Sequence, residues 1–88
     1  MTEHESLQMF LNRAHQVIDY ATEQNELYNR QEPQIDQEVY SSAQQQLEEA
    51  YIDLQKVSNS ATPQQREEIQ RVMAQILQLQ SDMIINDH

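Results

Sequence analysis

The chain has no glycine among its 88 residues, and this absence limits its fold more than any other feature of the sequence. Tight hairpin turns, β-bulges and phosphate-binding loops depend on glycine because it adopts positive φ without steric cost. Glutamine, glutamate, alanine and leucine, which lose little on entering a helix, are abundant. The sequence therefore predicts an all-α protein and disfavours sheets and nucleotide-binding loops.

Capping patterns divide the chain into three helical segments. Thr2 with Glu5, and Thr62 with Gln65, have the spacing of a capping box, in which two side chains satisfy free backbone amides at a helix start. Each of the two prolines suits the first position of a helix, so the second helix should begin at Pro33. The predicted helices span residues 3–29, 33–58 and 63–85.

Each segment has one apolar side, because its apolar residues recur at three- and four-residue steps. Connectors this short place consecutive helices side by side and antiparallel. We therefore predict one domain over residues 1–88, an up-down-up antiparallel three-helix bundle. The apolar stripes are Leu7, Phe10, Leu11, Ala14, Val17, Ile18, Ala21 and Tyr28; then Ile35, Val39, Ala43, Leu47, Ala50, Leu54 and Val57, with Tyr40 and Tyr51 on one flank; then Ile69, Val72, Met73, Ile76, Leu77, Leu79, Met83 and Ile84.

Two amides, Asn25 and Gln80, occupy positions within these stripes. A buried amide can fix the register of packed helices at some cost in stability. The alternative is that each amide lies near an end of the bundle, in water.

The formal net charge of −10 argues against two classes of partner. Nucleic-acid backbones and anionic membrane surfaces carry the same sign of charge and would repel the chain. Cysteine is absent and the first residues are acidic, whereas a secretion signal begins with basic residues. We expect a cytoplasmic protein that binds neither nucleic acid nor membrane.

The residue types of known catalytic and metal sites do not combine here into a site. His15 and Asp19 are one helical turn apart, but two ligands are too few for a tight metal site, so a surface ion pair is the simpler interpretation. Adjacent carboxylates such as Glu48 and Glu49 point about 100° apart on a helix. No serine has a motif that places a histidine beside it. The sequence predicts a non-enzymatic protein without catalytic, cofactor-binding or metal-ligating residues.

Two sets of apolar residues lie where a three-helix core should not reach. Met9, Tyr20 and Leu27 follow a second line along the first helix, and the alternatives are scattered exposed residues or a surface that docks a partner. Leu77 and Ile84 widen the apolar face of the third helix. Here the alternatives are deep burial as the central helix or dimerisation through this helix.

The middle of the chain resembles the YtzC-like family of short helical proteins from spore-forming bacilli. The residues that carry this resemblance are Asp36-Gln37-Glu38-Val39-Tyr40-Ser41-Ser42-Ala43-Gln44, Gln46-Leu47-Glu48-Glu49-Ala50 and Pro63-Gln64-Gln65-Arg66-Glu67. The resemblance implies a bacterial cytoplasmic protein and transfers no functional residue.

The leading hypothesis is a small module that binds another protein, or itself as a homodimer, through one of these two apolar surfaces. The rival from a different class is an acidic mimic of nucleic acid, whose carboxylates would occupy a basic protein surface. Ionic strength separates the two hypotheses, since a charged interface weakens as salt rises and an apolar interface does not.

Overall fold

A computed structural model describes residues 3–30 and 36–86, and the side chains of residues 6–30 and 36–85 within them. These residues form three helices: α1 (Glu3–Asn29), α2 (Gln37–Ser58) and α3 (Pro63–Asn86). Every pair of helices is in contact, and the described part of the chain contains no strand. The predicted all-α, up-down-up three-helix bundle is confirmed.

The bounds of α1 and α3 agree with those expected from the sequence. The capping box at the start of α3 is present: the backbone amide of Thr62 donates to Oε1 of Gln65 at 2.9 Å, and the amide of Gln65 donates to Oγ1 of Thr62 at 3.2 Å. Each bond satisfies an amide that the first turn leaves without a helical partner. Thr2 and the side chain of Glu5 lie outside the described residues, as do Pro33 and Ile35.

Helix α2 begins at Gln37, so the start predicted at Pro33 is wrong. Asp36 is extended, with φ −93° and ψ 119°, and its side chain accepts a 2.8 Å hydrogen bond from the amide of Glu38. Aspartate is among the strongest N-cap residues because its carboxylate binds a free amide and complements the positive end of the helix dipole. This cap sets the start of the helix.

The core is built from the predicted stripes of all three helices. Its buried apolar residues are Leu7, Leu11, Ala14, Ala21, Tyr40, Ala43, Leu47, Ala50, Leu54, Ile69, Val72, Ile76, Leu79 and Met83. Several stripe residues, including Phe10, Val17, Ile18, Val57 and Met73, are half-buried and pack against this core from its edges.

Tyr40 was expected on the flank of α2, and this placement is wrong, because its side chain is fully buried. Its ring lies 4.4 Å from that of Tyr28, measured between centroids. At this level the C-terminal parts of α1 and α3 both pack on the first turn of α2, so a position beside the stripe is covered from two directions.

The hydroxyl of Tyr40 joins all three helices. Its oxygen lies 3.1 Å from Oδ1 of Asn25 in α1 and 2.9 Å from the carbonyl oxygen of Met83 in α3. Met83 is among the last four residues of its helix, whose carbonyls have no amide partner in the helix. Tyr40 therefore supplies a donor that the end of α3 lacks.

The two amides within the stripes have different environments. Asn25 is buried, 9% exposed, and takes part in the contact with Tyr40, so the buried alternative holds for it. Gln80 is half-buried, and its Nε2 donates to Oε2 of Glu48 on α2 at 3.0 Å. The side chain of Gln80 thus lies at the edge of the core and links α3 to α2 by a hydrogen bond near the surface.

Candidate interaction surface

The side of α3 that faces water carries large apolar residues. Leu77 is 50% exposed and Ile84 is 62% exposed, so the alternative of deep burial does not hold for either. They are seven residues apart and lie on one line along the helix. Exposed residues continue this line at steps of four and three, and we call the set the outer seam: Gln70, Ala74, Leu77, Ser81 and Ile84.

The outer seam lies almost opposite the residues that α3 contributes to the core. At 100° per residue, the mean direction of the outer seam is about 140° from that of the buried stripe. The core therefore cannot cover both sides of this helix. The buried stripe consists of Ile69, Val72, Ile76, Leu79 and Met83.

The hydrogen bond between Gln80 and Glu48 fixes which part of α2 borders the outer seam. Ile52 is one turn beyond Glu48 on α2, and Leu77 is one turn before Gln80 on α3. Because the two helices run antiparallel, both steps lead in the same direction along the bundle. Ile52, 40% exposed, thus lies on α2 at about the same level of the bundle as Leu77.

This part of α3 also differs in charge from the rest of the chain. The chain has 15 acidic and 5 basic residues, yet none of the acidic residues falls between Ile69 and Ser81. The one charged side chain in that stretch is Arg71, which is exposed. The stretch of α3 that carries most of the outer seam therefore combines apolar side chains with an absence of acidic residues.

The second predicted surface, along α1, is less continuous. Met9 is 51% exposed, but Tyr20 and Leu27 are half-buried, and Tyr20 packs against the core. A shallow depression beside Met9 is lined by side chains of α1 alone: Gln8, Met9, Asn12, Arg13 and Gln16. The structure thus presents one exposed apolar residue on α1 rather than a strip of three.

The side chains considered for chemistry are exposed, on two different helices. His15 and Asp19 are exposed on α1, and Ser41 and Ser42 are exposed on α2. Within residues 3–30 and 36–86, no three histidine, aspartate or glutamate side chains gather where they could hold a metal ion. No helix in that part of the chain has the length and apolar character needed to cross a bilayer.

Sequence reasoning missed Ile52 and Ile85, both exposed large apolar residues. Each lies away from the apolar stripe of its helix, and a helical wheel of the sequence shows this position. The sequence also did not indicate that Ala74 and Ser81 belong to the outer seam. Small residues can be assigned to such a surface only when their large neighbours are known to be exposed.

These features define the class of protein: a small acidic three-helix bundle with an apolar seam on the outside of one helix. A family model described as "Protein of unknown function (DUF2524)" matches residues 1–85. "Uncharacterized protein YtzC" of Bacillus subtilis (strain 168) is 41% identical over 85 residues, which cover 97% of this chain and 93% of that protein. The chain belongs to this YtzC-like family, as the resemblance of its middle segments indicated. No solved structure matches it.

Proposed function

We propose that this chain is a non-enzymatic protein–protein interaction module that binds through the outer seam of α3. One observation carries the proposal: Leu77 and Ile84 are exposed on the same line of a helix whose opposite side is already buried. Apolar area left in water is unfavourable by about 25 cal/mol per Å² relative to burial. A partner that covers these side chains recovers this free energy.

The charge distribution favours this proposal over mimicry of nucleic acid. A mimic needs dense carboxylates on the surface that meets its target. The outer seam has no carboxylate from Ile69 to Ser81, and glutamines separate many of the acidic residues elsewhere. An apolar contact at the seam also predicts binding that persists at about 1 M salt, where charges are screened beyond roughly 3 Å.

Affinity capture with three versions of the chain tests the proposal. The wild-type chain and Met9→Glu should retain the same protein from a lysate of the source organism, whereas Leu77→Glu should lose most of it. Met9 is the matched control because it is equally exposed on a different helix. Equal recovery by Leu77→Glu, or loss with Met9→Glu alone, would place binding elsewhere and contradict the proposal.

A further inference from the structure

The spacing of the outer seam matches the contact positions of a coiled coil. Gln70, Ala74, Leu77, Ser81 and Ile84 follow one another at steps of 4, 3, 4 and 3, which is the alternation of a and d positions in a heptad repeat. All five are exposed, and the buried stripe of α3 lies on the other side of the helix. The helix thus presents a second packing surface of the kind that pairs with another helix.

Small and large residues alternate along the seam in a way that makes it complementary to itself. When two copies of α3 pair antiparallel about the level of residue 79, Leu77 lies opposite Ser81 of the second copy. Ala74 lies opposite Ile84 in the same manner. Each of the four resulting layers joins one large and one small side chain, which packs without voids. Parallel pairing would instead place Leu77 against Leu77 and leave gaps at Ala74 and Ser81.

Charge also favours a second copy at this face. Two chains of net charge −10 repel one another, so association requires a surface where carboxylates do not meet. Residues 69–81 of α3 carry no carboxylate, and Arg71 at one border of the outer seam contributes positive charge. At the other border the carboxylate of Glu48 on α2 accepts a hydrogen bond from Gln80. Gln78 lies on the same border as Arg71, seven residues further along α3, and its Nε2 donates to Oδ1 of Asp82 at 3.2 Å.

We propose that a second copy of this chain covers the outer seam, forming a two-fold symmetric dimer with the two α3 helices antiparallel. This inference rests on the proposed function and names its partner. The two-fold arrangement uses the same patch on both copies, as self-complementary interfaces do. The seam spans about 21 Å at 1.5 Å per residue. Such a short interface gives a dimer that dissociates on dilution.

Sedimentation equilibrium of the full chain tests the dimer. From about 10 μM to about 1 mM, where small interfaces associate, the mean mass should rise from 10.4 kDa toward twice that value. Leu77→Glu should stay at the monomer mass, because it places a carboxylate in two layers. Gln75→Glu adds the same charge at an exposed position of α3 off the seam and should dimerise like the wild type. Helicity by circular dichroism shows that each variant is folded.

Spin labels test the antiparallel orientation, and the absence of native cysteine makes single-site labelling selective. Labels at Gln78→Cys lie near the two-fold axis and should be offset by about 3 Å along the helix axis, whereas labels at Arg71→Cys should be offset by about 24 Å in that direction. Equal label separations at both sites would indicate parallel helices and overturn the proposed arrangement.

The outcomes separate this inference from the proposed function. A wild-type chain that remains monomeric at about 1 mM overturns the dimer, since even weak interfaces associate at that concentration. If Leu77→Glu still abolishes capture of a different protein, the interaction module stands with another partner. If the chain is monomeric and capture is also unaffected by Leu77→Glu, both proposals fail.

Discussion

Tyr40 is the residue that ties the three helices together at one end of the bundle. Its side chain is fully buried, and its hydroxyl reaches Asn25 and the carbonyl of Met83. A hydroxyl has one proton, so it donates to one of these oxygens at a time. A single side chain thus contacts a buried amide of α1 and a buried carbonyl of α3, which makes the position sensitive to substitution.

Tyr40→Phe should lower the free energy of unfolding by about 1–3 kcal/mol, because it keeps the ring and removes the hydroxyl that contacts both oxygens. Urea unfolding monitored by circular dichroism measures this loss. Tyr20→Phe is the control, since Tyr20 is half-buried and should lose less. Equal losses for the two variants would show that the buried Tyr40 hydroxyl stabilises the fold no more than the hydroxyl of a half-buried tyrosine does.

At the scale of single residues, the sequence predicted most of the buried positions but not the role of Tyr40. A helical wheel gives the direction in which a side chain leaves the helix axis. It does not give the number of neighbouring helices that pack at the level of that side chain. Tyr40 lies beside the stripe of α2, yet both other helices cover it. For the same reason the wheel could not decide between burial and exposure of Leu77.

Among the helices, α2 shows how competing start signals are resolved. Pro33 suits a first helical position, but Asp36 is extended and caps the helix that begins at Gln37. The start of α3 was predictable because Thr62, Pro63 and Gln65 agree on one boundary. Where two start signals compete, the local sequence pattern does not show which of them sets the boundary.

Asp36→Ala should lower the free energy of unfolding by about 0.5–2 kcal/mol, the usual cost of removing an N-cap side chain. Asp36→Asn keeps an oxygen that can accept from the amide of Glu38 and should lose much less. Urea unfolding of the three proteins gives the comparison. If Asp36→Ala is as stable as the wild type, α2 does not depend on this cap.

Considered as a whole, the molecule carries much more negative than positive charge, with 15 acidic and 5 basic residues in one small bundle. Like charges in a compact state repel each other, and salt screens this repulsion. The sequence predicts this property without a structure. It does not predict that α3 has an exposed stretch without carboxylates, because exposure depends on how the helices pack.

The midpoint temperature of unfolding should therefore rise with ionic strength. If screening contributes about 1 kcal/mol, the midpoint rises by about 4–8 °C for a domain of this size. A thermal scan in sodium chloride measures the shift at a protein concentration low enough to keep the chain monomeric. Potassium chloride should give the same shift, because screening depends on ionic strength. A midpoint that falls with salt would mean that attractive ion pairs outweigh the repulsion.

The central claim is that two copies of this bundle associate through the outer seam of α3. A dilution series followed by amide resonances maps the contact residue by residue. We expect concentration-dependent shifts at Ala74, Leu77, Ser81 and Ile84, and constant shifts around Met9 on α1. Shifts confined to α1, or resonances that do not change up to about 1 mM, would contradict the claim, because a weak interface is populated at that concentration.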